Sequence, residues 1–208
     1  MERIDTEGEP LGLVTYQDFD LVEIVKNAGW ISQAGNLFRR TVVERVGLLD
    51  ASLHFRMDRD YWLRAALVCQ FGYLPRPLAR FRRHEGAKTT CKPYLAARDV
   101  LAVYRKFFDR ADLPAELVEL RQRAWAGAHL YAATAWFCAS DLPNARVQLW
   151  AALRRDAGIV LRTPFRRVLL RTLLAGLLGG RDSRVFQFTR AVWRRASAGH
   201  NLSIRAQT

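Results

Sequence analysis

The sequence predicts an α/β segment followed by an all-helical region, mostly α overall, and three observations carry that prediction. Up to residue 92, short apolar runs are separated by Gly and Pro turn signals, and Leu78-Ala79-Arg80-Phe81-Arg82 alternates in the manner of a strand. From Pro93 onward the apolar spacing changes to three and four, the period of an amphipathic helix. The chain has 208 residues, 50% of them hydrophobic, so it can bury roughly 70% of its unfolded surface. That balance excludes wholesale disorder, collagen and coiled-coil repeats.

Taken in order, Asp5-Thr6-Glu7-Gly8-Glu9-Pro10 is a turn-rich stretch, and a short apolar-polar segment after it ends at Trp30. Residues 31–40 read as a buried strand or a loop. Thr41-Val42-Val43-Glu44 matches a capping box, which predicts a helix start there with Gly47 as its stop. A second helix is predicted over about 58–71, with Trp62, Ala66 and Cys69 on one face and Gly72 as its end. Asp58 and Asp60 then occupy its first turn, where carboxylates favour the helix dipole.

Pro75 and Pro77 make the start of 73–83 an edge or extended segment before the alternating strand, and His84-Glu85-Gly86-Ala87-Lys88-Thr89-Thr90 reads as a loop. Helices are predicted over 94–108, over 114–139 with Leu117, Leu120, Ala124, Ala128, Tyr131 and Ala135 in register, and over 144–155. Asp141-Leu142-Pro143 makes the turn between the last two. That pair faintly resembles a tetratricopeptide-type hairpin, although one unit is not an array. The two regions are divided at 1–92 and 93–208.

Charge is segmental. Residues 159–208 hold 10 Arg, no Lys and one acid, Asp182, and so carry most of the net charge of +13. Such a tail fits an anionic partner, whether a membrane surface or nucleic acid, or simply a solvated helical face. Within 162–195, Val168-Leu169-Leu170, Leu173-Leu174 and Leu177-Leu178 are flanked by Arg166, Arg167 and Arg171, and Gly179-Gly180 precedes Val185-Phe186 and Trp193. The stretch 169–178 is expected to dock on the core, and the stretch after Gly180 to meet an anionic membrane surface. Nucleic acid is the less favoured partner, because no RNP-like aromatic strand accompanies the arginines.

Other classes are excluded more simply. The acidic start lacks an apolar h-region, and no run reaches the roughly 18–20 uncharged apolar residues of a spanning helix, so the expectation is a cytoplasmic chain, peripheral at most at the inner face of the membrane. Cys69, Cys91 and Cys138 are far apart and show no metal-ligand spacing. Walker, dinucleotide and nucleophile-elbow motifs are absent.

Two stretches carry candidate chemistry. Met57-Asp58-Arg59-Asp60 places two carboxylates two residues apart at a helix start. They lie on different faces and cannot form a dyad, but one of them could act as a general base; the ordinary role of Asp at that position is a cap. Arg80-Phe81-Arg82-Arg83-His84 concentrates cations at the end of a strand. Such a loop could hold a pyrophosphate or, through His84, a metal, or it could be a charged surface loop.

Together, Ile31-Ser32-Gln33, Phe38-Arg39-Arg40, Val46-Gly47-Leu48-Leu49-Asp50, Leu53, Met57-Asp58-Arg59-Asp60-Tyr61-Trp62-Leu63-Arg64 and Phe81-Arg82-Arg83-His84 with Lys88-Thr89 resemble, in order and spacing, family 2 glycosyltransferases. The likeness covers about residues 4–92. It implies part of a GT-A fold, a Rossmann-like α/β sheet, and specifically its C-terminal, acceptor-side half. The implied reaction is an inverting transfer from a nucleotide-sugar donor to a hydroxyl of a saccharide or lipid-linked acceptor, assisted by a divalent metal, Mg or Mn.

On that resemblance Asp58 falls at the catalytic base, while Gln33, Asp60, Arg82 and His84 fall on the substrate side, His84 also near the metal. Asp60 and Arg64 are further expected to hold the helix in place. The sequence departs from the family pattern at Met57, where many relatives carry an acid, and at Gly35-Asn36 in place of a Pro-Ser pair. The donor half with its Asp-x-Asp motif is not represented, and Ile4-Asp5 with Gly8 resembles the stretch just after that motif. The chain alone is therefore expected to be inactive. The competing expectation is a non-catalytic helical adaptor whose Arg-rich tail binds a membrane surface or nucleic acid.

Overall fold

A computed structural model describes residues 1–14, 19–27, 33–84, 86, 92–161 and 163–177. Among them, three short strands and eight α-helices make a mostly helical protein with a small mixed sheet. Strand β1 (Glu2–Ile4) lies in the middle of the sheet. It pairs antiparallel with β2 (Pro10–Leu13) and parallel with β3 (Arg80–Arg82), in the register Glu2↔Arg80, Arg3↔Phe81, Ile4↔Arg82. The β1–β2 turn forms because the Asp5 carboxylate accepts the amides of Glu7 (3.0 Å) and Glu9 (2.8 Å), and Gly8 takes φ +98°, a conformation that L side chains resist.

The parallel β1–β3 pairing requires a crossover, which is provided by α1 (Leu21–Asn27), α2 (Arg40–Val46) and α3 (Met57–Ala66). Beyond β3 the chain is helical: α4 (Pro93–Phe108), α5 (Ala115–Glu119), α6 (Arg121–Cys138), α7 (Leu142–Arg155), a 3₁₀ turn (Ala157–Leu161) and α8 (Thr163–Leu177). Sheet order and hydrogen bonds leave the outer edge of β3 open among the described residues. Glu2 N–H donates to the Ala79 carbonyl and Arg83 N–H to that of Ile4, so the backbone groups of Arg80 and Arg82 point away from β1.

The two regions share one core. Val25 of α1, Leu53 and Leu63 pack with Val100, Val103, Tyr104 and Phe107 of α4 and with Ala124, Ala128 and Ala132 of α6. Helix α6 can serve two neighbours because it is lined with small residues on two sides. Its Ala124/Ala128/Ala132 stripe meets α4, and Ala126, Leu130 and Ala133 join Leu149, Ala152, Ile159, Phe165 and Val168 of the following elements in a second cluster. Small side chains let backbones approach closely, so a larger residue at Ala128 would have to displace a neighbour.

Several boundaries differ from the sequence prediction. Helix α2 begins at Arg40, with Arg39 as N-cap and no side-chain cap, so Thr41 lies inside the first turn instead of at its cap. Glu44 instead sits 3.9 Å from Arg40, one turn away on the exposed surface. Gly47 does end that helix, at φ +81°. Helix α3 stops at Ala66, not near residue 71. The amides of Val68 and Cys69 both return to the Ala65 carbonyl, which tightens the chain out of the helix and brings Phe71 back edge-on to Trp62. The strand is confined to Arg80–Arg82, downstream of Pro77, which has no N–H to give a ladder.

The single helix expected over 114–139 is divided at Leu120 into α5 and α6, which turns Leu117 into the core. At the end of α6 the non-glycine residue Ser140 takes φ +63°. Its amide bonds to Phe137 and that of Asp141 to Trp136, a Schellman closure, and Asp141 then caps α7 through the Asn144 amide at 2.9 Å.

Candidate functional site

The first turn of α3 is held from three sides. Ahead of it, Asp50 accepts the Ser52 amide and hydroxyl, and the carboxylate of Asp99 on α4 reaches across to accept the amides of His54 (2.7 Å) and Phe55 (2.9 Å). Asp99 is buried in the apolar face of α4, a position a carboxylate keeps only when donors meet it. The Arg56 guanidinium is buried 3.8 Å over the ring of Tyr131 on α6. Buried Arg59 donates to the Ile24 carbonyl of α1 and to the Tyr104 hydroxyl of α4, which itself donates to the Val25 carbonyl.

On this fixed turn the two aspartates have different environments. Asp60 is buried and its oxygens are taken by cations, Arg64 Nε at 2.8 Å and Lys106 Nζ at 3.1 Å. Lys106 also bonds Asp50 at 2.8 Å, and Arg64 donates to the carbonyls of Val46 and Leu48. Burial works against the Lys106 ammonium, but its bonds to Asp50 and Asp60 outweigh that and raise its pKa; the Lys106 bond, followed by those from Ser52, holds the Asp50 carboxyl far below the usual carboxylate range. Asp60 is thus a clamp between α3, α4 and the loop after α2, as expected of it and Arg64. Its assignment to the substrate side finds no open oxygen in this geometry.

Asp58 is the contrast. Its Oδ1 accepts the Arg59 amide at 2.7 Å, one of the orphan donors of the helix start, and no side chain hydrogen-bonds the carboxylate among the described residues. Burial raises its pKa, and the Arg59 amide and the charges of Arg56 and Arg59 offset that only in part. A half-buried carboxylate with raised proton affinity and no side-chain hydrogen bond among the described residues can take a proton from a neighbouring hydroxyl. The N-cap of α3 is Arg56 and carries no side-chain cap bond, so Asp58, inside the first turn, does not take the cap role that Asp has at helix starts.

The remaining predicted residues lie elsewhere. Gln33 is exposed ahead of α2. Arg82, on the open edge strand, donates to the carbonyls of Asp5 (3.1 Å) and Thr6 (2.6 Å) and so braces the β1–β2 turn. His84 is exposed just past β3, and Lys88 and Thr89 lie outside the described residues. Among the described residues, no hydrogen bond or ion pair joins Asp58, Gln33, Arg82 and His84 to one another. No group of three His, Cys, Asp or Glu side chains there is placed to hold a metal. His84 therefore belongs to no such group among the described residues.

A cleft of about 1680 Å³ opens beside α3, walled by Leu13, Phe38, Tyr61, Trp62, Phe71 and Leu78 among others. Asp58 does not line it. Tyr61 and Trp62 nevertheless follow Asp58 by three and four positions, on the same side of the helix and roughly 4.5–6 Å further along its axis. Phe38, Tyr61, Trp62 and Phe71 form a chain of tilted and edge-on ring contacts 5.5–6.2 Å apart, and the Tyr61 hydroxyl and Trp62 Nε1 are buried without hydrogen-bond partners among the described residues.

No family model matches this chain, and no curated protein or solved structure does either. The residues that sequence reasoning missed are Arg56, Asp99 and Lys106. A signal existed for Asp99, a carboxylate falling in the apolar register of Ala96, Val100, Val103 and Phe107. Nothing local marked Lys106 as the partner of residues some fifty positions away.

Proposed function

We propose that this chain carries the base-bearing, acceptor-side segment of an inverting glycosyltransferase of the family 2 type, acting in the cytoplasm. The observation that supports the reading is the division of labour on α3: Asp60 is consumed by Arg64 and Lys106, whereas among the described residues the Asp58 carboxylate is bonded by no side chain and has raised proton affinity. In this reading Asp58 Oδ2 removes the proton of an acceptor hydroxyl as that oxygen attacks the anomeric carbon. The bond from that carbon to the nucleoside diphosphate breaks on the opposite face, and the proton ends on the Asp58 carboxyl. The immobilised helix start supplies positioning, because Asp99, Arg56 and Arg59 leave the turn little freedom. Gln33, Arg82 and His84 are proposed to contact donor or acceptor groups, and the aromatic cleft beyond Tyr61 and Trp62 is the proposed path for the acceptor.

The test is transfer of labelled sugar from a panel of nucleotide-sugars to saccharide and lipid-linked acceptors, by protein expressed with all coding sequence in frame with this chain and with Mg²⁺ or Mn²⁺ present. Product of inverted configuration supports the reading; absence of transfer across the panel by folded protein counts against it.

A further inference from the structure

Helix α8 meets the rest of the protein through a narrow stripe. Phe165, Val168, Thr172 and Ala175, spaced three, four and three apart, are buried against α6, α7 and the 3₁₀ turn, and the Thr172 hydroxyl is satisfied by the Val168 carbonyl at 2.8 Å. The leucines expected to dock mostly do not. Leu169, Leu170, Leu173 and Leu177 are 37%, 43%, 50% and 80% exposed, and Leu161, just ahead of the helix, is 77% exposed. At 100° per residue these four leucines form a second apolar stripe about 135° round the helix from the docked one.

The charge around this outer stripe has one sign. Arg166 lies at its N-terminal end and Arg167 and Arg171 along one flank, all three exposed, and α8 contains no acidic residue. None of the three arginines has an ion-pair partner among the described residues. An exposed leucine row is costly in water. Combined with unpaired arginines, it has the composition of a helix that lies flat in a bilayer interface, with leucines entering the acyl boundary and guanidiniums on lipid phosphates. Among the described residues no helix is long and apolar enough to cross a membrane, so the contact is peripheral.

We propose that the outer face of α8, formed by Leu169, Leu170, Leu173 and Leu177 with Arg166, Arg167 and Arg171, is a membrane-docking surface selective for anionic lipid. This places the contact on the helix itself, whereas the sequence had pointed to the stretch after Gly180, which lies outside the described residues. The proposal is independent of the glycosyl-transfer reading and holds for an enzyme or an adaptor.

The experiment is co-sedimentation of the full chain with vesicles of phosphatidylcholine alone and of phosphatidylcholine with 30% phosphatidylglycerol, in 50 and 500 mM NaCl. The expected result is at least tenfold stronger partitioning onto the anionic vesicles at low salt. Leu173→Ser with Leu177→Ser lowers that partitioning at least tenfold without changing the circular dichroism spectrum, because both side chains are outside the core. Replacing Arg166, Arg167 and Arg171 by Gln removes most of the anionic preference, at about fivefold per arginine. A Leu11→Ser control on exposed β2 leaves binding unchanged. Several results would overturn the proposal: no preference for anionic vesicles, retained binding in the leucine variant, equal loss in the β2 control, or a leucine variant that differs from wild type only in its self-association. Tighter binding to a single-stranded RNA than to the vesicles, lost with the arginines but not the leucines, would assign the surface to nucleic acid instead.

Discussion

Replacing Asp99 by Ala removes the contact that ties the loop ahead of α3 to α4. Two hydrogen bonds are lost, to the amides of His54 at 2.7 Å and Phe55 at 2.9 Å, both accepted by a single carboxylate oxygen that is buried. Bonds to a charged group contribute about 1.5–3 kcal/mol each, so the pair sets an upper range of about 3–6 kcal/mol. His54 is exposed and water can replace the bond to its amide, whereas Phe55 is half-buried, which brings the expected loss to about 2–4 kcal/mol. The Arg98 contact at 3.4 Å adds little, because that guanidinium is mostly exposed. Against a typical total of about 5–15 kcal/mol, this is a large fraction. Urea unfolding followed by far-ultraviolet circular dichroism measures it, and Asp99→Asn, which keeps an acceptor, should lose about half as much. A loss below about 1 kcal/mol for Asp99→Ala, at unchanged denaturant slope, refutes the reasoning.

Three further outcomes are expected. Because burial raises the Asp58 pKa, its ionised form is disfavoured by folding; the stabilising contribution of the protonated form is complete below the ordinary 3.8 and is lost as pH rises through the raised value. Asp58→Asn should therefore gain urea resistance relative to wild type at pH 7 and show no such gain near pH 3.5. His129 on α6 bonds Gln148 of α7 at 2.8 Å and its pKa is lowered, first by burial, so stability is full above 6.5 and falls as pH drops from 6.5 towards the folded value; His129→Gln should flatten the thermal midpoint between pH 7.5 and 5.5. Ser140→Gly relieves a left-handed residue at φ +63° and should stabilise by about 0.5–1 kcal/mol in the same urea assay, with Ser140→Val losing stability instead.

Much of the helical half was legible because its periodicity is written in long apolar registers, such as Val100, Val103, Tyr104 and Phe107, which tertiary packing reinforces. Boundaries were less legible where two signals competed. Thr41 and Glu44 have capping-box spacing, yet the helix starts at Arg40, and the register of Trp62 and Cys69 continues past Ala66 although the backbone turns there. Of the candidate site, the place of Asp58 and Asp60 in the first turn of α3 was legible from local spacing, whereas the holding role of Asp60 and Arg64 was expected from the family resemblance. The rest depends on pairings across forty to fifty residues, Asp99 with His54 and Lys106 with Asp60, which no local pattern encodes. The outward leucines of α8 were ambiguous for a different reason. Seven hydrophobic residues, Val168, Leu169, Leu170, Leu173, Leu174, Leu177 and Leu178, fit either a docked or an interfacial helix, and only the buried Phe165, Val168, Thr172 and Ala175 show which side docks.

The proposal that Asp58 is the base is tested most directly by the turnover of Asp58→Asn against wild type. Both proteins are expressed with all coding sequence in frame with this chain and assayed for sugar transfer at saturating donor and acceptor. The substitution keeps the acceptor for the Arg59 amide and removes only the proton-accepting carboxylate. The account predicts a fall of roughly two to four orders of magnitude in turnover, at unchanged circular dichroism and little change in KM. Turnover within about threefold of wild type in a folded variant contradicts it.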